Sequence, residues 1–368
     1  MSSQSKNRIL WLDQLRAVAM WIVILGHSEL TDEINKFIYS FHMPLFFIIS
    51  GITFNPRKYE NLAAGTWDKF KKLLLPHFGM NLMMLPLWIY TFKILSQAKP
   101  NLEILIRGIF YINSGKYQSP SNATWFLAAL FLTEVLFYLI WKWVKGEQRQ
   151  LVIMVILMGL IGFIESKNKT NYEGPWHVEA VFTAIVFFMM GYLLRQNLGF
   201  VTEFIQSKKN YLILIMVLLV TGIWCSLENG RVSMNGNSYD SILYFYTAAT
   251  ALSGVIILVI MKLPVSRLLC YVGQNTITYV GIHIPLIRLA QKTCPVFVEN
   301  PWYALLLAVI VFFVMIPVSW AVTNLFPFVL GRGWPQKTKS ARIAVYLIAI
   351  AGVVLWAASL FYLIPYVI

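Results

Sequence analysis

Charged residues and cysteines are scarce in this sequence. Only 12% of its 368 residues are charged, and 16 Asp and Glu face 30 Lys and Arg. The three cysteines, Cys225, Cys270 and Cys294, stand on separate segments without metal-ligand spacing, so they support neither a disulfide framework nor a thiolate metal site. A phosphate-binding glycine loop and internal repeats are also missing. The net charge of +14 comes from Lys and Arg scattered between apolar runs, not from a basic tract, and therefore does not indicate nucleic-acid binding.

Hydrophobic residues, in contrast, make up 58% of the chain, more than one soluble core can bury. Windows of about 16 to 25 apolar residues are long enough to cross about 30 Å of hydrocarbon. Eleven windows are counted, at 10–29, 37–55, 72–95, 124–144, 151–166, 178–194, 211–228, 242–262, 270–290, 302–330 and 342–366. The fifth and sixth are short, so a count of ten stays open. The sequence predicts an all-α polytopic integral membrane protein, a bundle of ten to eleven transmembrane helices in one domain over residues 1–368.

The distribution of cationic residues predicts the orientation of this bundle. When the connections are assigned alternately to two sides, nineteen Lys and Arg fall on one side and nine on the other. Cytoplasmic loops carry the excess of positive charge, which predicts a cytoplasmic N-terminus and, with eleven spans, an outer C-terminus. The first window carries Asp13 and Arg16 and lacks a small-residue cleavage site, so we expect it to stay in the mature protein.

Arg16 and His27 are the most informative residues of the first window. They are eleven residues apart, about three helical turns, which places both on one stripe of the helix about 16 Å apart. An Arg in a membrane helix costs about 2.5 to 3.5 kcal/mol, so a chain that keeps one there usually has a use for it. The spacing predicts a cation near the cytoplasmic end and a titratable base toward the outer end.

Other polar residues are predicted at the same two depths. In the outer half, His42 and His283 join His27, and Asn122 and Trp125 enter the membrane from that side. Trp125 is interpreted either as a stacking surface for a sugar or as an interfacial anchor. Two further histidines, His77 and His177, are interpreted as packing or interfacial groups more readily than as catalytic ones.

On the cytoplasmic side, Lys69 and Lys72 are three residues apart and are predicted on one face of a helix. With Arg16 they form a candidate site for a phosphorylated ligand. Ordinary cytoplasmic positive charge, or contact with anionic lipids, is an equally good interpretation of the two lysines alone.

These residues carry a family resemblance. It follows the chain through Leu12-Asp13-Gln14-Leu15-Arg16, Gly26-His27-Ser28, Phe41-His42-Met43-Pro44 to Ser50-Gly51, Phe70 to Pro76, Trp125-Phe126-Leu127, Gly273-Gln274-Asn275-Thr276 to Tyr279, and His283-Ile284-Pro285. The pattern resembles the membrane acyltransferase-3 family, and within it the fucose 4-O-acetylase type. Two features depart from that pattern: Lys69 and Lys72 stand where many relatives carry arginine, and the eleventh span exceeds the usual ten. The family-like core is therefore placed at about 10–330, with an extra C-terminal helix at about 342–366.

The resemblance implies an O-acetyltransferase of the bacterial inner (plasma) membrane. Acetyl-CoA would be the donor and no metal is implied; the acceptor would be a glycan or a lipid-linked sugar, with membrane lipids around the protein and no nucleic acid bound. His27 would be the general base. Arg16 would bind coenzyme A together with Lys69 and Lys72, and Asp13 would orient Arg16 from the preceding turn. The acceptor side is assigned to His42, Asn122, Trp125, Asn275 and His283.

Several alternatives stay open at this stage. The partner that fixes the tautomer of His27 is either Glu29 or Glu134. Acetyl transfer proceeds either directly or through an acetylated histidine. Three other functions are alternatives to the O-acetyltransferase: a polysaccharide or lipid-linked-sugar transporter, an acyltransferase that uses succinyl or another acyl group, and a lipid-modifying acyltransferase.

Overall fold

The computed structural model describes residues 9–91, 102–112, 119–168, 174–333 and 339–363, and this part of the chain is helical without a β-strand. Its α-helices are α1 (Leu10–His27), α2 (Asp32–Tyr39), α3 (His42–Thr53), α4 (Leu62–Lys69), α5 (Leu75–Tyr90), α6 (Leu102–Phe110), α7 (Trp125–Trp143), α8 (Gln148–Asn168), α9 (Val178–Gln196), α10 (Leu198–Phe204), α11 (Lys208–Glu228), α12 (Ile242–Lys262), α13 (Arg267–Gln274), α14 (Thr276–Thr293), α15 (Val296–Glu299), α16 (Pro301–Leu325) and α17 (Lys339–Leu363). A π-helix (Phe70–Leu74) joins α4 to α5, and 3-10 turns lie at Pro56–Lys58, Asn122–Thr124, Pro175–His177 and Pro327–Leu330.

Eight helical segments in the described ranges have the length and hydropathy to cross a membrane. They are Asp32–Thr53, Leu62–Tyr90, Asn122–Trp143, Gln148–Lys167, Pro175–Gln196, Lys208–Glu228, Ile242–Lys262 and Pro301–Leu325. The other three predicted windows, 10–29, 270–290 and 342–366, are also helical but more polar or shorter. The ends of two predicted windows, at 92–95 and 364–366, lie outside the described residues. The all-α, multi-pass architecture is confirmed, and the count of ten to eleven spans stays a prediction.

Two of the predicted spans are broken in their interiors. Window 37–55 divides between α2 and α3, and window 270–290 divides at Asn275, which has φ −111° and ψ 14°. Helix ends expose backbone groups that need partners. Asn275 meets part of that need, since its side-chain amide donates to the Tyr271 carbonyl at 2.9 Å, and its oxygen accepts from Thr323 at 2.9 Å. The break therefore leaves the start of α14 anchored to α16.

The interior of the bundle is formed by α1, α3, α7, α9, α12, α14 and α16. Helices α3 and α9 cross closely at Gly51, where a Cβ would overlap the Phe188 carbonyl oxygen. Such small-residue crossings let helix backbones approach closely. Close packing matters in a membrane because lipid tails are as apolar as the helices, so the hydrophobic effect does not favour helix association. Helices α8 and α11 lie outside, with exposed apolar side chains such as Ile156, Leu160 and Val220. Their apolar outer faces are suited to contact with lipid.

Candidate functional site

Two polar regions lie at the two ends of α1. The first surrounds Arg16 near the start of the helix, and the second surrounds His27 at its last residue. The eleven intervening steps correspond to about 16 Å along the helix axis. Helix α3 runs between the same two regions, with His42 at its first residue and Thr53 at its last.

Arg16 is held in place by Asp13 and by the close approach of α13. The Arg16 Nη1 atom lies 3.1 Å from Asp13 Oδ1, and the Asp13 side chain is buried. Gln274 Nε2 approaches the other carboxylate oxygen at 3.4 Å. Helix α13 reaches this position because residue 273 is glycine: a Cβ there would overlap the Asp13 carbonyl oxygen. The contact between α1 and α13 therefore determines where the Arg16 guanidinium lies.

A large cavity of about 1110 Å³ opens beside Arg16. Its lining includes the exposed residues Arg57, Gln148 and Arg195. Two smaller cavities, of about 330 and 430 Å³, adjoin the same region and share Glu134 and Arg332 in their walls. We call these three cavities the basic vestibule. Within the described residues, neither Arg57 nor Arg195 pairs with a carboxylate, so their charges are available to an anionic ligand.

Lys69 and Lys72 both line the 430 Å³ cavity but have different partners. Lys69 Nζ lies 2.6 Å from Glu134 Oε2, whereas Lys72 Nζ lies 2.7 Å from Asp68 Oδ2. A π-helix begins at Phe70, between the two lysines, so they are not separated by an ordinary α-helical turn. The Lys69 side chain is largely buried and that of Lys72 is exposed, although both reach the same cavity.

Tyr59 supports the exposed part of the 430 Å³ cavity wall by donating a hydrogen bond to Asp68. Burial raises the pKa of Tyr59, so its hydroxyl remains protonated and continues to donate. Asp68 thus accepts from Tyr59 and Lys72 together.

The 330 Å³ cavity is the part of the vestibule that is also lined by residues of the bundle interior. Its walls combine the charged side chains of Arg16 and Glu134 with the apolar side chains of Phe46, Phe126 and Val280. Val280 precedes His283 by three residues, about 4.5 Å along α14. The wall of this cavity therefore comes within one helical turn of His283.

The second region consists of His27, Tyr39, His42 and His283, which we call the histidine cluster. The His27 ring centroid lies 5.3 Å from that of His283 and 6.2 Å from that of Tyr39. The Tyr39 ring lies 4.7 Å from His42. The predicted grouping of His27, His42 and His283 is thus present in the structure.

Hydrogen bonds to backbone carbonyls determine which ring nitrogens in this cluster carry a proton. His283 Nδ1 lies 2.7 Å from the Tyr279 oxygen, and His42 Nδ1 lies 2.9 Å from the Ile38 oxygen. A carbonyl only accepts, so each Nδ1 is the donor, and in the neutral ring each Nε2 keeps its lone pair. His283 Nε2 is buried without a partner among the described residues. Such an acceptor is available to an N–H of His27 or to a substrate hydroxyl.

Neither carboxylate considered as a partner for His27 hydrogen-bonds to it in the described structure. Glu134 is engaged by Lys69 in the basic vestibule. Glu29 is exposed and has a positive φ of 55°, which turns the chain after α1. Tyr39 and His283, instead, are the aromatic side chains next to His27.

The remaining predicted acceptor residues, Asn122, Trp125 and Asn275, lie in different parts of the structure. Asn122 and Trp125 lie where α7 begins; Asn122 Oδ1 is buried without a partner among the described residues. Trp125 is buried and its ring lies 5.0 Å from His177, so it packs inside the protein and is not an exposed anchor. Asn275, in contrast, adjoins Gln274 beside Asp13, about 12 Å along α14 from His283. The structure therefore does not bring Asn275 to the histidine cluster.

His77 and His177 tie backbone segments together. His77 Nε2 lies 3.0 Å from the Ile109 oxygen, and its Nδ1 lies 3.3 Å from the Thr124 oxygen. His177 Nδ1 lies 3.0 Å from the Asn235 oxygen. Both rings are buried in contacts that connect distant parts of the chain.

Sequence reasoning missed Tyr39 and the vestibule arginines Arg57, Arg195 and Arg332. Tyr39 precedes His42 by three residues, and this spacing was the one available signal for it. The arginines had been counted only as cytoplasmic surface charge. Within the described residues, no group of three or more His, Cys, Asp or Glu side chains is arranged to hold a metal ion.

Comparison with known families gives one match. The family model for an acyltransferase domain, of the acyltransferase-3 type, matches residues 9–324. That range contains α1 to α15, nearly all of α16, and both polar regions described above. No curated protein and no solved structure matches the chain.

Proposed function

This chain belongs to the acyltransferase-3 family of membrane acyltransferases, and we propose that it is an O-acetyltransferase acting on a sugar or surface glycan. The acetyl group would come from acetyl-CoA in the cytoplasm, with the N-terminus on that side of a bacterial inner membrane. One observation carries the proposal: α1 presents a cation to the basic vestibule and, about three turns further on, a histidine, and the 330 Å³ cavity beside the cation extends to Val280, one turn before His283.

The basic vestibule is suited to the donor because coenzyme A carries several phosphates. Guanidinium groups bind phosphate through paired, charge-assisted hydrogen bonds. Arg16 is pre-oriented by Asp13, while Arg57 and Arg195 line the same cavity. Lys69 would have to exchange Glu134 for a phosphate, so we assign it and Lys72 a secondary place in donor binding.

The 330 Å³ cavity beside Arg16 is suited to the pantetheine arm, which is thin and largely uncharged. Phe46, Phe126 and Val280 provide apolar walls and exclude water from the thioester. In this arrangement the thioester reaches the histidine cluster while the phosphates remain at the vestibule. The arm thereby joins the two regions in a single transfer step.

His27 acts as the general base in this proposal. The acceptor hydroxyl oxygen attacks the thioester carbonyl carbon and gives its proton to His27. The tetrahedral intermediate then collapses, the carbon–sulfur bond breaks, and the departing sulfur takes that proton to become the free thiol of coenzyme A. His283, whose ring centroid lies 5.3 Å from that of His27, would accept the second ring N–H of His27 at Nε2 and so orient the His27 ring. His42, Asn122 and Trp125 are assigned to the acceptor, whereas Asn275 belongs to the support of the donor region.

The test is His27→Ala in membrane vesicles with the cytoplasmic face outward and supplied with radiolabelled acetyl-CoA. We expect label transfer to glycan to fall by about 10²- to 10⁴-fold, the usual contribution of a general base. Coenzyme A affinity of the purified variant, measured by equilibrium dialysis, should stay unchanged because the vestibule is about 16 Å away. Unimpaired transfer by His27→Ala would contradict the mechanism, and labelled succinyl-CoA in a parallel reaction tests the identity of the acyl group.

A two-step route through an acetylated His27 is separated by trapping. Wild-type protein is mixed with labelled acetyl-CoA without acceptor and quenched within one turnover. Direct transfer predicts no label on the protein. A label that is trapped on the wild-type protein and is absent from His27→Ala would instead support the two-step route through acetylated His27.

A further inference from the structure

Two arginines flank the histidine cluster and have no part in the acyl transfer described above. The guanidinium carbon of Arg231 lies 5.4 Å from the centre of the Tyr39 ring, which contacts both His27 and His42. Arg288 lies on α14 five residues after His283, about 7.5 Å further along the helix axis, and its charge acts on His27. Both side chains are exposed, so they stand at the outer approach to the proposed base.

Arg231 is held in position by an ordered connection between α11 and α12. The Asn229 side chain donates to the Tyr239 carbonyl at 3.2 Å and accepts from the Ser241 amide at 3.0 Å. The residue after Arg231, Val232, is buried. The loop therefore presents the guanidinium from a constrained backbone, which lowers the entropy lost when a ligand is bound.

The positive charge of this pair is only partly balanced. Glu29 interacts electrostatically with Arg288, and Asp240 uses one carboxylate oxygen to accept from the Gly230 amide at 2.9 Å. Neither arginine lies within salt-bridge distance of a carboxylate in the described part of the chain. Two guanidinium groups thus face the approach to His27 with charge available for a ligand.

We propose that the acceptor is an anionic carbohydrate, whose phosphate or carboxylate group binds Arg231 and Arg288 while its hydroxyl faces His27. This inference rests on the proposed function and names the class of its acceptor. Planar guanidinium groups pair with two oxygens of a carboxylate or phosphate and thereby fix both distance and orientation. Holding the hydroxyl next to the base is the main requirement for attack on a thioester. The phosphate-bearing end of a lipid-linked sugar and the carboxylate of a uronic acid both supply this chemistry.

Binding of soluble probes tests the proposal without requiring acetyl transfer. The full-length protein in neutral detergent is saturated with coenzyme A, so that the anionic probes cannot bind in the vestibule. Glucuronate, glucose 1-phosphate and glucose are then titrated, and thermal stabilisation gives their dissociation constants. We expect the two anionic probes to bind more tightly than glucose, and their order tells carboxylate from phosphate.

The variant Arg231→Gln with Arg288→Gln should weaken binding of the tighter anionic probe about tenfold or more, since each charged hydrogen bond is worth about 1.5 to 3 kcal/mol. Lys292→Gln, which removes an exposed cation from the same helix, is the matched control and should leave binding unchanged. Equal binding of glucose and both anions, absence of binding by any probe, or undiminished anion binding by the double variant would overturn the proposal. Loss of transfer in His27→Ala does not affect this measurement, so failure here is distinct from failure of the proposed function.

Discussion

The substitution Gly273→Ala tests whether the crossing of α1 and α13 positions Arg16. The new Cβ would lie 2.9 Å from Asp13 Cα and would overlap the Asp13 carbonyl oxygen. Carbon atoms in contact normally stay about 3.5 to 4.0 Å apart, so the two helices must separate by about 1 Å. Because Asp13 holds Arg16 at 3.1 Å, the guanidinium moves with it.

Two magnitudes follow from that displacement. Overpacking typically lowers the free energy of unfolding by about 1 to 3 kcal/mol. Misplacement of a binding group by about 1 Å costs roughly 10²-fold in rate. For coenzyme A binding, loss of a charged hydrogen bond worth about 1.5 to 3 kcal/mol predicts a dissociation constant raised about 10- to 150-fold.

The assay is coenzyme A binding by equilibrium dialysis, alongside thermal unfolding of the same sample. Gly199→Ala is the matched control, because a Cβ at Gly199 has no atom within 4 Å. That change should leave affinity unchanged and stabilise α10 by up to about 1 kcal/mol. If the Gly273→Ala protein binds coenzyme A as tightly as wild type, either the crossing does not position Arg16 or Arg16 does not bind the donor. Arg16→Gln then distinguishes these two explanations.

The remaining predictions concern the vestibule. Arg16→Gln should raise the dissociation constant of coenzyme A about tenfold or more, whereas Lys72→Gln should change it less than threefold, because Lys72 is exposed and paired with Asp68; similar effects from both would contradict this ranking. Glu134→Gln should lower the free energy of unfolding in micelles by about 3 kcal/mol, because it leaves Lys69 partly buried without its counter-charge. Lys69→Met combined with Glu134→Leu should recover most of that loss, and a double variant no more stable than Glu134→Gln would refute the assignment.

Helical periodicity explains which predictions hold. The spacing of Arg16 and His27 is a local property, so their positions at the two ends of α1 could be read from the sequence. The layer containing His27, His42 and His283 was likewise predicted, because span lengths determine depth. Lys69 and Lys72 were predicted on one face of an ordinary α-helix; they line one cavity, but a π-helix begins between them and their carboxylate partners differ.

Helical periodicity could not predict which side chains pair between different helices. Glu134 was a candidate partner of His27, yet it pairs with Lys69 because α7 crosses α4 near the vestibule. Asn275 was assigned to the acceptor on the family resemblance, although eight residues, about 12 Å of helix, separate it from His283. In the structure it lies at the break between α13 and α14 and accepts a hydrogen bond from Thr323.

The sequence by itself determined the class of this protein, its apolar segments, and the presence of a cation and a base on one helical stripe. These features depend on composition and on the periodicity of a single helix, which neighbouring residues specify. Only the tertiary structure decided that His27 faces Tyr39 and His283, that Arg57 and Arg195 join Arg16, and that a cavity beside Arg16 is also lined by Phe46, Phe126 and Val280. Those arrangements come from contacts between distant segments, such as the Gly273 crossing, whose geometry no local pattern specifies.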